Sequence, residues 1–515
     1  MWGWGITILS YLLGIDVGTT GTKSVIFDIG GQLVSKGYEE YPVLTPKADW
    51  AEQEPDIWWN ATINTIKAAI NNAAISSDDI ICIGLSSQTN SPLFLDKNGK
   101  PIRPCILWMD KRAEPQAAWV RTKIGKESFY KVTGVKIDPF YSFCKILWLK
   151  ENQPEIYEKT NVILQPKDYI GFKLTGEYAL DVASASSSGF IDCRKVGYAE
   201  ELLEESGFSI EKLPNLVSSL DVIGNVTREA AKATGLAENT PVVAGSGDVI
   251  TNAVGSGVVN IGQAYNKIAT ASDIAICVNH PIFDPEIRFV LYIHALPNRW
   301  ILMGGSNEGI CYRWFRDNFY QLEVEMAKEI CKDPYKIMDM KAEEVPLGAE
   351  KLIFLPYLIG VRSPLWDSKA RGVYFGIGLN HDKRHFTRAI MEGVAYSIRH
   401  RIEIVEKELG LPVREVRVVG GGARSKIWRR IMADVYDKTI ILPRGEEQEC
   451  LGAAILAGLG VKLYKNPDEA CNRLIPITDR LEPKKENCEK YERMYRIYVS
   501  LYEKLKDLFA MLSEA

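Results

Sequence analysis

Three stretches of this sequence combine residue types that can handle a phosphorylated ligand. The first is Asp16-Val17-Gly18-Thr19-Thr20-Gly21-Thr22-Lys23. It gathers backbone N–H groups, hydroxyls and one ammonium in a short turn, a set suited to a phosphate chain. Asp16 precedes the turn at a strand end, where a carboxylate beside phosphate is better explained by Mg²⁺ than by contact between two anions. The turn is not a Walker A loop, because the four-residue spacer and the following helix are missing. Taken alone, it is as readily a plain β-turn with a solvated lysine. The second stretch, Gly245-Ser246-Gly247-Asp248, follows an apolar strand over 240–244. Small residues there let the backbone approach a ligand, and Asp248 can act as a base or metal partner. It is equally placed to cap a helix over 249–254. A dinucleotide fingerprint is excluded, since position 250 is Ile where the third glycine belongs. The third, Gly420-Gly421-Gly422-Ala423 with Ser425, lies between a strand and a helix, where phosphate or adenine can meet a helix N-terminus.

The elements that hold these turns follow from the apolar pattern. Residues 8–15 read as a buried strand, joined through the Gly/Thr turn to a second apolar run over 24–28 as a hairpin. A helix over 56–74 and a strand over 80–85 follow. Residues 91–97 are strand-like and end in an Asn98-Gly99 turn. The segment 114–213 reads as mostly helical and polar. The second half repeats the opening theme over 264–275 and 289–293. It continues with a helix over 382–409, a strand over 416–419 and a helix over 427–435. From Glu447 to Ala454 the small residues read as helix packing. The tail sets Tyr491, Tyr495, Tyr498, Tyr502, Leu505 and Phe509 on one helical face, a packing stripe.

Length and composition agree with such a plan. At about 150 residues per domain, 515 residues make two large domains or three smaller ones. A hydrophobic share of 46% with 25% charged residues excludes disorder, collagen-like repeats and coiled coil as the main organisation. With 62 Lys+Arg against 66 Asp+Glu, the charge of −4 argues against a nucleic-acid partner. The 10 cysteines form no Cys-x-x-Cys pair and have no histidine at zinc spacing, which fits a reducing, cytoplasmic setting. The apolar start over 1–15 lacks a basic flank and is too short for a span of about 20 residues, so no membrane partner is expected. The lead-in with Trp2 and Trp4 has no assigned purpose. Two α/β lobes with a boundary near 255–262 are the economical reading.

The order of further motifs makes a stronger statement. Asp16-Val17-Gly18-Thr19-Thr20 is followed by Trp50-Ala51-Glu52-Gln53, Trp58-Trp59, Gly84-Leu85-Ser86-Ser87-Gln88 and Leu107-Trp108-Met109-Asp110-Lys111-Arg112. Then come Lys167-Asp168-Tyr169, Leu174-Thr175-Gly176-Glu177, the Asp248 turn, Leu355-Pro356-Tyr357-Leu358, Arg362-Ser363-Pro364 and Ala370-Arg371-Gly372. Glu392-Gly393-Val394-Ala395, the Gly420 turn and Leu451-Gly452-Ala453-Ala454 complete the series. In this order, from about residue 12 to 464, the chain resembles the FGGY carbohydrate kinases, closest in layout to xylulokinase-like members.

The resemblance implies two lobes, 1–256 and 257–515, each with an actin-like, ribonuclease-H-like core, and a cleft between them where sugar and ATP meet. Asp248 matches the base that accepts the proton of the attacking hydroxyl. Asp16 matches the carboxylate that holds Mg²⁺, with Asp248 also near the metal. Gly18, Thr19, Thr20 and Lys23 match the phosphate-contacting turn. Thr270, Gly309, Arg313, Gly421, Gly422 and Lys426 fall where relatives contact the nucleotide. Gln88, Thr89, Asn90, Trp108, Asp110 and Phe140 fall where relatives line the sugar pocket. A small sugar or polyol is the implied partner, with a homodimer as one open form of assembly.

The departures from the family pattern bear on nucleotide and substrate. Many relatives carry Gly-Thr-Ser in the C-terminal phosphate turn, where this chain has Ala269-Thr270-Ala271. Gly360-Val361-Arg362 stands where Gly-Glu-Arg is frequent. Neither change touches Asp16 or Asp248, so an active kinase is expected. Gln88-Thr89-Asn90-Ser91 replaces both the Gln-Met-His-Gly of xylulokinases and the Arg-Glu of glycerol kinases, which disfavours glycerol. A ketopentose such as xylulose is the expected substrate, with gluconate, ribulose or another polyol open. A non-catalytic, sugar-binding actin-like ATPase is the rival from another class. A dehydrogenase lacks its glycine spacing, and a histidine hydrolase lacks a Gly-x-Ser-x-Gly elbow.

Overall fold

A computed structural model describes residues 10–514 except 330 and 446. Trp2, Trp4 and the start of the strand read over 8–15 lie outside the described residues. The opening hairpin forms from β1 (Tyr11–Val17), buried at every position, and β2 (Gly21–Asp28), with Asp16 opposite Lys23. Valine, isoleucine and aromatic residues suit such a strand, buried on both faces. β3 (Leu33–Glu40) pairs with β2, and α1 (Pro55–Ala73) packs Trp58, Ile66 and Ala69 inward. Proline opens α1, where its missing N–H costs nothing. β4 (Ile80–Ser87) runs parallel to β1 and sets Ser86 beside Asp16. α2 (Ser142–Asn152) departs from the polar reading of this region, since 142–149 are all buried.

β5 (Val222–Asn225) and β6 (Pro241–Gly247) complete the first sheet, in the order β5-β6-β4-β1-β2-β3. β6 extends through Gly245–Gly247, past the strand end expected at 244. The register shifts between Val243 and Ser246, and Gly245 takes φ +62° with its Cα against the Leu85 carbonyl, so a glycine bulge redirects the strand end. α3 (Asp248–Gly255) starts there.

The second half builds β7 (Gln263–Ile268), β8 (Ser272–Val278), β9 (Val290–Ile293), β10 (Trp300–Ser306), α4 (Ile310–Phe319) and α5 (Lys383–Lys407). It continues with β11 (Glu415–Val419), α6 (Lys426–Tyr436), β12 (Thr439–Pro443), α7 (Gln448–Gly460), β13 (Ile477–Leu481) and α8 (Lys485–Leu512). The second sheet has the order β9-β10-β8-β7-β11-β12-β13. Each sheet sets an antiparallel run (β3-β2-β1 in the first, β9-β10-β8-β7 in the second) beside two parallel strands and one antiparallel edge strand. The two lobes therefore share an actin-like, ribonuclease-H-like core.

One helix does not stay with its own sheet. α7 lies on the first sheet through glycines. A Cβ on Gly14 would stand 2.0 Å from the Cys450 carbonyl oxygen, and one on Gly84 1.9 Å from that of Ala453. α3 and α7 cross as closely, with Gly452 against Thr251 O (1.8 Å) and Gly255 against Gln448 O (1.9 Å). In the tail, Tyr491, Tyr495 and Tyr498 are buried as the stripe predicts. Among the described residues no helix is long and apolar enough to cross a membrane.

The buried His294 makes stability depend on pH. Its Nδ1 accepts the Leu296 N–H and its Nε2 donates to the Val258 carbonyl, each at 3.0 Å, which requires the neutral ring. Burial pushes its pKa down from 6.5 to about 4. The unfolded chain therefore binds more protons between those values, so this contribution is complete above 6.5 and is lost as pH falls towards 4. Thermal melts should show Tm falling over that window, with a shallower fall in His294→Gln.

Candidate active site

β1, β4 and β6 are adjacent and parallel, so their carboxyl ends bring Asp16, Ser86 and Asp248 to one edge of the first sheet, the usual ligand position in α/β folds. Ser86 Oγ donates to Asp16 Oδ1 at 2.8 Å and lies 2.8 Å from Thr251 Oγ1. Burial, then the Glu449 and Asp248 carboxylates, push the Asp16 pKa up to about 7. Asp248 accepts the Val249 N–H at 2.8 Å. Burial pushes it up to about 6, with Lys267 pulling down and Glu449 pushing further up. Lys267 itself pairs with Glu449 at 2.9 Å.

Desolvated carboxylates that raise one another are relieved by a divalent cation. Among the described residues no three His, Cys, Asp or Glu side chains form a group able to hold a metal ion by themselves. Mg²⁺ keeps several waters and shares its shell with phosphate oxygens, so one or two carboxylates are what it asks of the protein. The donor set at Asp16 and Asp248 fits it.

The first glycine turn closes with the Gly18 N–H donating to Gly21 O at 3.0 Å, and leaves Thr20 exposed at its tip. Thr19 turns sideways: its hydroxyl donates to Gln88 Oε1 at 3.1 Å and accepts from Trp108 Nε1 at 2.8 Å. Lys23 departs from the expected free ammonium. Its Nζ sits 2.6 Å from Glu447 Oε2, so its charge is already shared with a carboxylate.

A cavity of about 370 Å³ opens beside Asp248 and brings Gln88, Thr89, Trp108 and Phe140 together. The Trp108 and Phe140 rings meet edge-on at 5.7 Å. Gly247 admits Thr89, whose Cγ2 would lie 2.2 Å from an added Cβ. Two expected residues stand behind the wall instead. Asn90 is buried in the left-handed region (φ +59°), and Asp110 is fully buried with its oxygens on Arg112 and on the Ala51 N–H. Asp110 is thereby an internal ion pair and does not reach the cavity. The second half supplies residues that sequence reasoning missed, among them Asp273, Gly305 and Arg362, while the first half adds Lys136. The cavity thus lies between the lobes. Asp273 had no local signal: it meets Gly305 across β8 and β10, and burial pushes its carboxyl up to about 6.

A larger cavity, about 910 Å³, is lined by Thr270, Gly309, Arg313, Gly421 and Gly422, as expected, with Tyr312, Asp339 and Trp428. The Ala269-Thr270-Ala271 turn still closes: the Ala269 N–H donates to Ala271 O at 2.8 Å, and Thr270 O accepts the Ile310 N–H at 2.9 Å. Gly309 is required there, because a Cβ would stand 2.0 Å from Ala269 O. Lys426 does not join this set. It stands at the first position of α6 and lines a separate cavity of about 280 Å³ with Arg388 and Arg430.

Residues 11–255 match the FGGY family of carbohydrate kinases, N-terminal domain, and residues 285–461 match its C-terminal domain. The chain belongs to the FGGY carbohydrate kinases. It is 32% identical to a gluconokinase of Bacillus subtilis over 507 residues, covering 98% of both chains. It is 30% identical over 501 residues to a xylulose kinase of the same organism, covering 97% of this chain and 98% of that one. The structure of a gluconate kinase from Lactobacillus acidophilus superposes with a TM-score of 0.89 at 25% identity, covering 98% of this chain and all of the other. In this FGGY kinase Asp248 lines the smaller of the two cavities, and Asp16 stands beside it at the end of the neighbouring strands.

Proposed function

We propose that this FGGY kinase transfers the γ-phosphoryl group of ATP to a hydroxyl of a sugar acid, gluconate, with Asp248 as general base. The observation that carries the substrate is a pair of cations in the 370 Å³ cavity, Lys136 and Arg362, neither of which makes a salt bridge among the described residues. Lys136 lies 3.1 Å over the Trp366 ring, and burial pushes it down to about 7. Asp284 and Asp138 offset that shift from a distance without pairing with it, so a ligand carboxylate would be its direct partner.

Asp248 takes the proton of the attacking hydroxyl, whose oxygen bonds to the γ-phosphorus as the bridge to ADP breaks. Such a reaction asks the protein for in-line positioning and charge neutralisation. Thr270, Gly309, Arg313, Gly421 and Gly422 hold the nucleotide, and the Gly18-Thr19-Thr20 turn faces its phosphates. Asp16 and Asp248 hold Mg²⁺, which when bound neutralises phosphate charge. Residues 1–256 then form the sugar-binding lobe and 257–515 the nucleotide lobe, with α7 returning to the first. A cytoplasmic setting belongs to the same reading, supported by ten unpaired cysteines.

A ketopentose such as xylulose is the second reading. It is favoured by the acidic part of the same cavity, Asp138, Asp248 and Asp273, which offers acceptors for neutral hydroxyls. ADP release with Mg-ATP and each sugar separates the two. Gluconate should give the higher kcat/KM, and faster turnover of xylulose would put the ketopentose in its place. Lys136→Met should lower kcat/KM for gluconate by about 10–100-fold, the value of a charge-assisted hydrogen bond, and leave xylulose within about twofold.

A further inference from the structure

Lys145 stands in the first turn of α2 and is fully buried. Among the described residues it has no carboxylate partner. Its ammonium points at three backbone carbonyls: Phe140 O at 2.5 Å, Asn90 O at 2.8 Å and Trp108 O at 3.3 Å. An ammonium has three donors, so all are used.

Those carbonyls belong to three separate segments of the sugar-cavity wall. Trp108 and Phe140 line the cavity, and Asn90 directly follows Thr89, which also lines it. Asn90 is held a second time, because its Oδ1 accepts the Ser142 N–H at 3.3 Å from the start of α2. Burying an ammonium without a counter-ion is costly, and an apolar side chain would fill the same space without that cost. Packing therefore does not account for a lysine here, whereas joining three polar loop backbones does.

We infer that Lys145 is a positioning residue for the sugar: its ammonium ties the 90, 108 and 140 segments into one wall and so sets Thr89, Trp108 and Phe140 against the substrate. The inference rests on the reading of this cavity as the sugar site. Lys145 touches neither substrate nor nucleotide; it acts through the loops it joins. The nucleotide cavity is built from other elements and does not depend on it.

The test is steady-state kinetics of Lys145→Met beside Trp108→Ala, with the sugar that the wild type turns over. Lys145→Met should raise KM for the sugar at least about tenfold, as misplaced wall groups lose their hold, and leave KM for ATP within about twofold. A sugar KM within twofold of wild type, or an equal rise in both KM values, overturns the inference, since a general structural role would move both. If melting curves show Lys145→Met unfolded, Lys145→Gln, which keeps two N–H donors, is read by the same split. If Trp108→Ala raises the sugar KM and the Lys145 variant does not, the positioning role alone falls. If neither raises it, the cavity is not the sugar site and the inference falls with that reading.

Discussion

Asp248→Asn is expected to lower kcat by about 10²–10⁴-fold, the range for loss of a general base, while sugar affinity stays within a few fold. The amide keeps the size of the carboxylate and can still accept the Val249 N–H, so the start of α3 should hold its place. What it loses is the basic oxygen that takes the hydroxyl proton. Burial and Glu449 raise the Asp248 carboxyl to about 6, so the wild-type base is ionised at neutral pH yet has useful basicity. The kcat/KM profile for the sugar should therefore fall as pH drops through about 6, and the limb should move lower as Mg²⁺ saturates, because the cation favours the carboxylate. Single-turnover assays with a coupled ADP readout measure both effects. Retention of wild-type kcat in Asp248→Asn would remove Asp248 as the general base, and absence of ADP formation with any sugar in the wild type would leave the non-catalytic reading standing.

The second large effect is structural. Gly452→Val should prevent α7 from docking on α3, destabilising the protein by more than the ~1–3 kcal/mol of ordinary overpacking. A Cβ at 452 would lie 1.8 Å from the Thr251 carbonyl oxygen, and the opposing atom is helix backbone, with no rotamer to give way. The disturbance would reach the chemistry by a short route. Thr251 shares a hydrogen bond with Ser86, and Ser86 donates to Asp16. Urea unfolding and kinase activity should fall together. Gly421→Ala is the contrast, since a Cβ there meets nothing within 4 Å and stability should be unchanged.

The parts of this site that were legible in the sequence are those whose signal is local. Asp16 and Asp248 each stand at the end of an apolar strand beside glycines, so type and spacing pointed to them directly. The repeated hairpin made two lobes readable, and the glycines at 421 and 422 made one wall of the larger cavity readable. What escaped was set by distant partners. Nothing near Lys23 announces Glu447, and nothing near Asp273 announces Gly305. Asp110 has the residue type of a ligand group, but Arg112 two positions on already satisfies it. Lys145 looks like any lysine in a helix until three loops converge on it. The small residues of α7 correctly announced packing without saying against which sheet.

That return of α7 has a consequence for how the molecule comes into being. β1, β4 and β6 have all been synthesised by residue 247, but the helix that covers Gly14 and Gly84 begins at residue 448. At about 5–20 residues per second, the first sheet waits roughly 10–40 s with one apolar face open. The amino-terminal half is thus born unfinished and is closed only by a helix that begins at residue 448. Sheltering that face in the interval falls to the translating cell.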